Sequence, residues 1–198
     1  GGLVGEVIQV WRPRELNTHE TEWGFSCMSY EISGALGIKM ANPDKEVISF
    51  IGDGSYLLNN TDIYSSVITN NKLIIIVCDN GGFAVINRLQ LFKGGNEYNN
   101  LLKSSNTPGL VDVDFAKHAE SMGAKSEHVN SISDLEEAFK RAKKSDVTYV
   151  ISIKTHAYQW LEGSAFWDSP TLEIPTTKEN KEALKLYKEG KNKQRQGV

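Results

Sequence analysis

Two short stretches combine residue types and spacing suited to phosphate and metal chemistry. FIGDGSYLLNN (50–60) sets Asp53 between Gly52 and Gly54, directly after an apolar run and before a helix-like segment. DNGGF (79–83) follows a second apolar run, and 24 residues, 55–78, separate Gly54 from Asp79. In α/β sheets ligands collect at the carboxyl ends of strands, where both stretches would stand. Gly52 and Gly54 permit close backbone approach, and the amides of Gly54 and Ser55 at a helix start can donate to phosphate oxygens. Asp53 by itself would repel a diphosphate. A divalent cation, bound by the carboxylate on one side and by phosphate oxygens on the other, turns that repulsion into a bridge, and hard oxygen donors suit magnesium. From the neighbouring strand end, the Asn80 side-chain oxygen and the Gly82 carbonyl can complete the coordination.

Something must hold these stretches side by side. EVISFIG (46–52) and KLIIIVC (72–78) are continuous β-rich apolar runs, as expected of parallel strands covered on both faces. Between them, NTDIYSSVITNN places Ile63, Val67 and Ile68 on a helical stripe and stops at Asn70 and Asn71, giving a strand-helix-strand crossover. Upstream, SYEISGALGIKMA (29–41) sets Ile32, Leu36 and Met40 at helical spacing. Downstream, VDFAKHAESMGA predicts a helix with Phe115, Ala116, Ala119 and Met122 inward. SISDLEEAFKRAKKS predicts another, capped by Ser133 with Glu136, and VTYVISIK a strand. Residues 79–112 lack periodicity and read as a functional loop, while residues 3–22, interrupted by Pro13, read as a lead-in without a continuous helix. The alternation predicts an α/β fold, a three-layer αβα domain with a mainly parallel sheet. The expected organisation is a linker over 1–22, a cofactor-binding domain over 23–155, and a tail over 156–198 with a lysine-rich amphipathic helix.

Bulk properties narrow the partners. The 198 residues are 39% hydrophobic with a net charge of -3, which suits one core and offers no broad cationic field for nucleic acid or an anionic membrane. No apolar run approaches the ~20 residues that span a bilayer, and the start lacks a signal-peptide layout, so a cytoplasmic setting is expected. Cys27 and Cys78 have no metal-site spacing and read as free core thiols. The opening GGLVGEV, without Met, suggests a piece of something longer.

Gly52-Asp53-Gly54, two dozen residues, then Asp79-Asn80 resembles the signature of thiamine-diphosphate enzymes, with Asp79 in place of the first Asn of the usual pair. The resemblance implies Asp53, Asn80 and the Gly82 carbonyl as magnesium ligands. GFSCMSYEISGALG is similar to the segment that supports the bent cofactor in these enzymes. By that alignment Met28 is the bulky apolar wedge between the two rings, and the Ser26 carbonyl accepts from the aminopyrimidine. WRPRELNT, EWGFSCMSYEISGALGIKMANPDKEV, GDGSYLLNNTDI, DNGGFAVINRLQ and VDFAKHAESMGA together resemble the C-terminal part of the hydrolases that open 3D-(3,5/4)-trihydroxycyclohexane-1,2-dione in inositol catabolism. That resemblance implies a hydrolase of a carbon–carbon bond in a ketonic ring, yielding 5-deoxy-glucuronate, with thiamine diphosphate carrying the carbanion chemistry.

Phe83 comes after the metal loop, against the cofactor, and Ile86, Asn87 and Gln90 are candidates for the substrate pocket. The glutamate that activates the cofactor in such enzymes sits in a separate pyrimidine-binding domain. Neither Glu22 nor Glu31 stands in a matching motif, so no catalytic residue is expected in this chain. Its expected partner is that pyrimidine-binding domain, from a second subunit of a homodimer or homotetramer, and the chain alone is expected to be inactive. Two rival readings remain open: an acetolactate synthase or 2-oxo acid decarboxylase using the same cofactor, and a non-catalytic nucleotide-binding α/β module.

Overall fold

The structure is a computed structural model that describes residues 2–22, 24–25, 27–106, 111–161 and 171–194. In chain order its elements are α1 (Gly2–Val10), α2 (Tyr30–Ala41), β1 (Ile48–Gly52), α3 (Asp53–Leu58), α4 (Asp62–Ile68), β2 (Ile74–Asp79) and α5 (Ala84–Phe92). A single 3-10 turn (Leu102–Ser104) precedes α6 (Phe115–Ser121), β3 (Lys125–Val129), α7 (Ile132–Lys144), β4 (Tyr149–Lys154) and α8 (Lys178–Lys193).

The four strands pair in the order β1-β2-β4-β3, and every pairing is parallel. Parallel strands need crossovers, which here are helical and leave helices on both faces. On one face α2, α4 and α6 contribute Ile32, Leu36, Ile63, Phe115 and Ala119 to a core with Ile51, Ile75, Val77 and Val150 of the sheet. On the other, Ala138 and Ala142 of α7 pack with Ile74, Ile151 and Ile153, and α1 covers β1, where Trp11 meets Phe50 edge-on at 6.0 Å between centroids. The expected three layers are present. Register places Gly52 beside Cys78 and Asp79 beside Lys154, so three strands present their carboxyl ends along one edge.

Several local expectations differ from what forms. β2 is buried on both faces, but β1 alternates, with Ser49 and Ile51 buried and Ile48 and Phe50 half-buried. It is an edge strand of the described sheet, so its second face is only thinly covered. The lead-in does contain a helix, α1, which ends three residues before Pro13 because proline cannot continue it. The stretch 79–112, expected as a loop, contains α5, whose one fully buried residue is polar Asn87 while its apolar Val85 and Leu89 are only half-buried and Phe92 is exposed. β3 is a further addition: KSEHV buries only Val129 fully, as an edge strand can. The cap of α7 is Ser131, not Ser133; its hydroxyl accepts from the Asp134 amide at 3.0 Å, two residues earlier than the Ser133–Glu136 box. Met40 and Ile68 are exposed, and of the two free thiols Cys27 is exposed and Cys78 half-buried. Burial raises the Cys78 thiol to about 11.

The polar β3 edge is fastened by a carboxylate. Glu127 accepts from Arg141 Nε at 3.0 Å and Nη2 at 2.6 Å, and from the Tyr149 hydroxyl at 2.6 Å, tying β3 to α7 and β4. The Arg141 hydrogen bond foremost, aided by Tyr149, holds the Glu127 carboxyl below its ordinary value. Its contribution is therefore present above the ordinary carboxylate range and is lost as pH falls through the lowered value. Glu127→Ala is expected to lower the unfolding free energy of this chain by about 1–2 kcal/mol at neutral pH. In urea melts the deficit should shrink below about pH 4; an undiminished deficit there would assign the effect to packing instead.

Candidate functional site

The carboxyl ends of β1 and β2 meet at Asp53. Its side chain reaches across to the loop after β2, accepting from the Gly82 amide at 2.6 Å and, at longer range, from the Asn80 amide at 3.4 Å. That loop must turn sharply, and Gly81 and Gly82 take φ of 79° and 139°, which side-chain-bearing residues rarely adopt. A Cβ on Gly82 would also lie 2.5 Å from the Asn100 carbonyl oxygen. The outgoing strand of the loop pairs with 100–102: Phe83 N donates to Asn100 O at 2.7 Å and Leu102 N to Gly81 O at 2.9 Å. The Phe83 ring lies on Gly54, where a Cβ would come within 2.5 Å of it.

Asp53 is 4% exposed, and its pKa is raised to about 6 by burial, with the Asp79 charge adding to the rise and the amides of Asn80, Gly82 and Gly54 opposing it. Asp79 is equally buried but compensated: its Oδ2 accepts from Lys154 Nζ at 2.6 Å and its Oδ1 from the Gly81 amide at 2.9 Å. Lys154 also reaches Asp112, again at 2.6 Å. Two nearby polar atoms are buried without a hydrogen-bond partner, Asn80 Oδ1 and Ser55 Oγ. Such orphans are costly, and each calls for a partner such as a water, an ion or a ligand atom. Among the described residues no group of three or more His, Cys, Asp or Glu could hold a metal. A cation here would draw on Asp53, an amide oxygen, backbone and the ligand's own oxygens.

Residues 1–153 match the family described as thiamine pyrophosphate enzyme, C-terminal TPP binding domain. This chain belongs to that family. It is 37% identical over 185 residues to a protein of Shouchella clausii named 3D-(3,5/4)-trihydroxycyclohexane-1,2-dione hydrolase, a match covering 92% of this chain and 29% of the relative. A Clostridium tetani protein of the same name is 38% identical over 173 residues, covering 84% and 27% of the two chains. The chain thus spans under a third of the length of these relatives. Among solved structures it is similar to the Rhodococcus jostii thiamine diphosphate-dependent 4-hydroxybenzoylformate decarboxylase, with a TM-score of 0.58, 26% identity, and coverage of 65% of this chain and 23% of that one.

A thiamine pyrophosphate-binding domain has to seat a diphosphate, and the geometry gathers Asp53, Gly54, Ser55, Asn80, Gly82 and Phe83 in one place. Ser26 lies outside the described residues. Met28 is half-buried just before α2; Ser33, in the first turn of that helix, is bonded to Asp62 at 2.5 Å and to Asn59 at 3.3 Å, which sets the start of α2 beside the segment after the GDG turn. The three pocket candidates on α5 are differently employed. Ile86 is exposed. Asn87 is buried, donating to Glu97 at 3.0 Å while its Oδ1 has no partner. Gln90 spends both ends on the following loop, donating to Asn96 O at 2.6 Å and accepting from Asn100 at 2.5 Å.

Reading along the chain misses the Asp79–Lys154–Asp112 bridge and the Glu97 junction, where Asn87 and the Tyr158 hydroxyl both donate to one oxygen. For the first a signal exists. An acid at the end of a buried strand needs a cation, and the last residue of the adjoining strand is a lysine.

Gly82→Ala forces a side chain into a strained φ and against the Asn100 carbonyl. The expected result is a loss of about 1–3 kcal/mol of stability and at least a tenfold loss of thiamine diphosphate affinity. Chemical denaturation and cofactor titration check the two. Wild-type affinity in the variant would show that the loop backbone does not shape the site.

Proposed function

We propose that this domain holds thiamine diphosphate through a magnesium ion in an enzyme that opens the ring of 3D-(3,5/4)-trihydroxycyclohexane-1,2-dione to 5-deoxy-glucuronate. The observation that carries the cofactor reading is the pairing of a buried Asp53, short of positive charge, with the orphaned Asn80 Oδ1 at the ends of adjacent strands. A hard dication satisfies both, with the Gly82 carbonyl as a third protein ligand. The amides of Gly54 and Ser55, with the unpartnered Ser55 hydroxyl, receive the diphosphate. The Phe83 ring and Met28 bound the cofactor on the apolar side, and the Ser26 carbonyl accepts from its aminopyrimidine. Thiamine diphosphate, when bound, supplies the carbanion that adds to a carbonyl and takes up the charge released as the carbon–carbon bond breaks. Ile86, and Asn87 through its free Oδ1, line the substrate side.

The hydrolase reading draws on the names of the relatives, which match across most of this chain. The glutamate that activates the pyrimidine ring then comes from a pyrimidine-binding domain outside these residues, contributed by a second subunit of a cytoplasmic homodimer or homotetramer. Among the described residues no helix is long and apolar enough to cross a membrane. A 2-oxo acid decarboxylase is the second reading, favoured by the solved structure it resembles.

In the full-length enzyme, thiamine diphosphate binding should require magnesium and fall at least tenfold in Asp53→Ala and Asn80→Ala, read by tryptophan fluorescence titration. Binding that ignores the metal or survives Asp53→Ala would overturn the cofactor site. Consumption of the cyclic dione without decarboxylation of pyruvate or benzoylformate supports the hydrolase; the opposite pattern supports the decarboxylase.

A further inference from the structure

We infer that Lys154 is a positioning residue of the cofactor site, which reserves the cation for Asp53 by taking the second buried carboxylate, Asp79, out of its reach. Two carboxylates lie at the end of this sheet, Asp53 at 4% and Asp79 at 5% exposure, close enough for one charge to act on the other. They differ in what holds them. Both Asp79 oxygens are taken, one by Lys154 Nζ at 2.6 Å and one by the Gly81 amide at 2.9 Å. Among the described residues Asp53 is met by backbone amides, those of Gly82 at 2.6 Å and Asn80 at 3.4 Å with Gly54 assisting, and by no cation.

Charge arithmetic makes that difference matter for a diphosphate. A dication bound to one carboxylate keeps a net positive charge toward the phosphates; bound between two, it is neutralised and loses most of its attraction for them. Lys154 is well placed to enforce the first state. It stands at the end of β4 in register with Asp79, so the sheet itself sets the pair, and Asp112 anchors the ammonium from the far side at 2.6 Å. Through Asp79 Oδ1 and the Gly81 amide the same pair also braces the turn that presents Asn80 and Gly82. Nothing in this role requires Lys154 to touch the cofactor.

The inference rests on the magnesium–thiamine diphosphate reading, and one titration series separates the two. Thiamine diphosphate is titrated into the full-length apoenzyme at saturating magnesium, with a magnesium-free control. Lys154→Met is expected to weaken binding at least fivefold, without recovery on adding more magnesium, and Lys154→Arg to stay within fivefold of wild type. Asp79→Asn/Lys154→Met, which removes both charges, is expected to return within fivefold of wild type, a rescue that loss of packing alone would not produce. Loss smaller than fivefold in Lys154→Met, or a double variant still weakened more than fivefold, overturns the inference while leaving the cofactor site standing. Wild-type binding that ignores magnesium overturns the cofactor reading itself and this inference with it. Should Lys154→Met not fold, the double variant decides on the same threshold.

Discussion

The grip of one buried carboxylate on a neighbouring loop organises this end of the molecule. Asp53 leaves β1 and takes the Gly82 amide from the loop after β2, so the two strand ends are joined by a side chain where the sheet's own ladder stops. The join is incomplete. It leaves the carboxylate short of positive charge and the Asn80 amide oxygen without a donor, a combination that stores free energy for a ligand that can supply a cation.

The backbone around that join is held by turns and tertiary contacts. Glycines 81 and 82 let the backbone turn back, and pairing of Gly82 with Leu101 fixes the far side of the loop. Helix α5 then hands the chain to a polar junction at Glu97, where Asn87, Tyr158 and Lys103 converge, Lys103 lying 3.9 Å from its carboxylate and 4.2 Å above the Tyr158 ring. Tyr158 comes from the segment after β4, and the neighbouring Trp160 stacks under Arg88 at 4.7 Å. The start of the C-terminal tail is thus packed onto the helix that comes after the site. Below the GDG turn, Tyr56 is fully buried with its hydroxyl on His118 Nδ1 at 2.9 Å, linking α3 to α6. A short helix of six residues is held by tertiary contacts rather than by its own length.

Where periodicity is strong, the fold is legible. β2, α2, α6, α7 and β4 all stand where the apolar pattern puts them, the helices because each buries a stripe of matching period and the two strands because a continuous apolar run is buried on both faces. The elements that escape are those that bury little or bury polar groups. KSEHV forms β3 by pairing with β4, not by hiding its side chains, and α5 inserts Asn87 as its buried residue. That Asp53 meets the 80–82 loop is legible because each stretch directly follows an apolar strand, and parallel neighbours bring such ends together. Lys154 is legible only as a lysine ending a strand; its pairing with Asp79, 75 residues away, needs β4 to lie beside β2.

By itself, the order of residues determined the layer architecture, the strand ends that carry the site, and the types of donor placed there, all consequences of local period and composition. Only the tertiary structure decided which carboxylate is free and which is spent. That choice depends on β4 lying against β2 with Lys154 in register beside Asp79, a pairing set by the packed core and not by any neighbour in the chain. Charge compensation between distant residues acts through space, so it exists only once the fold has brought them together.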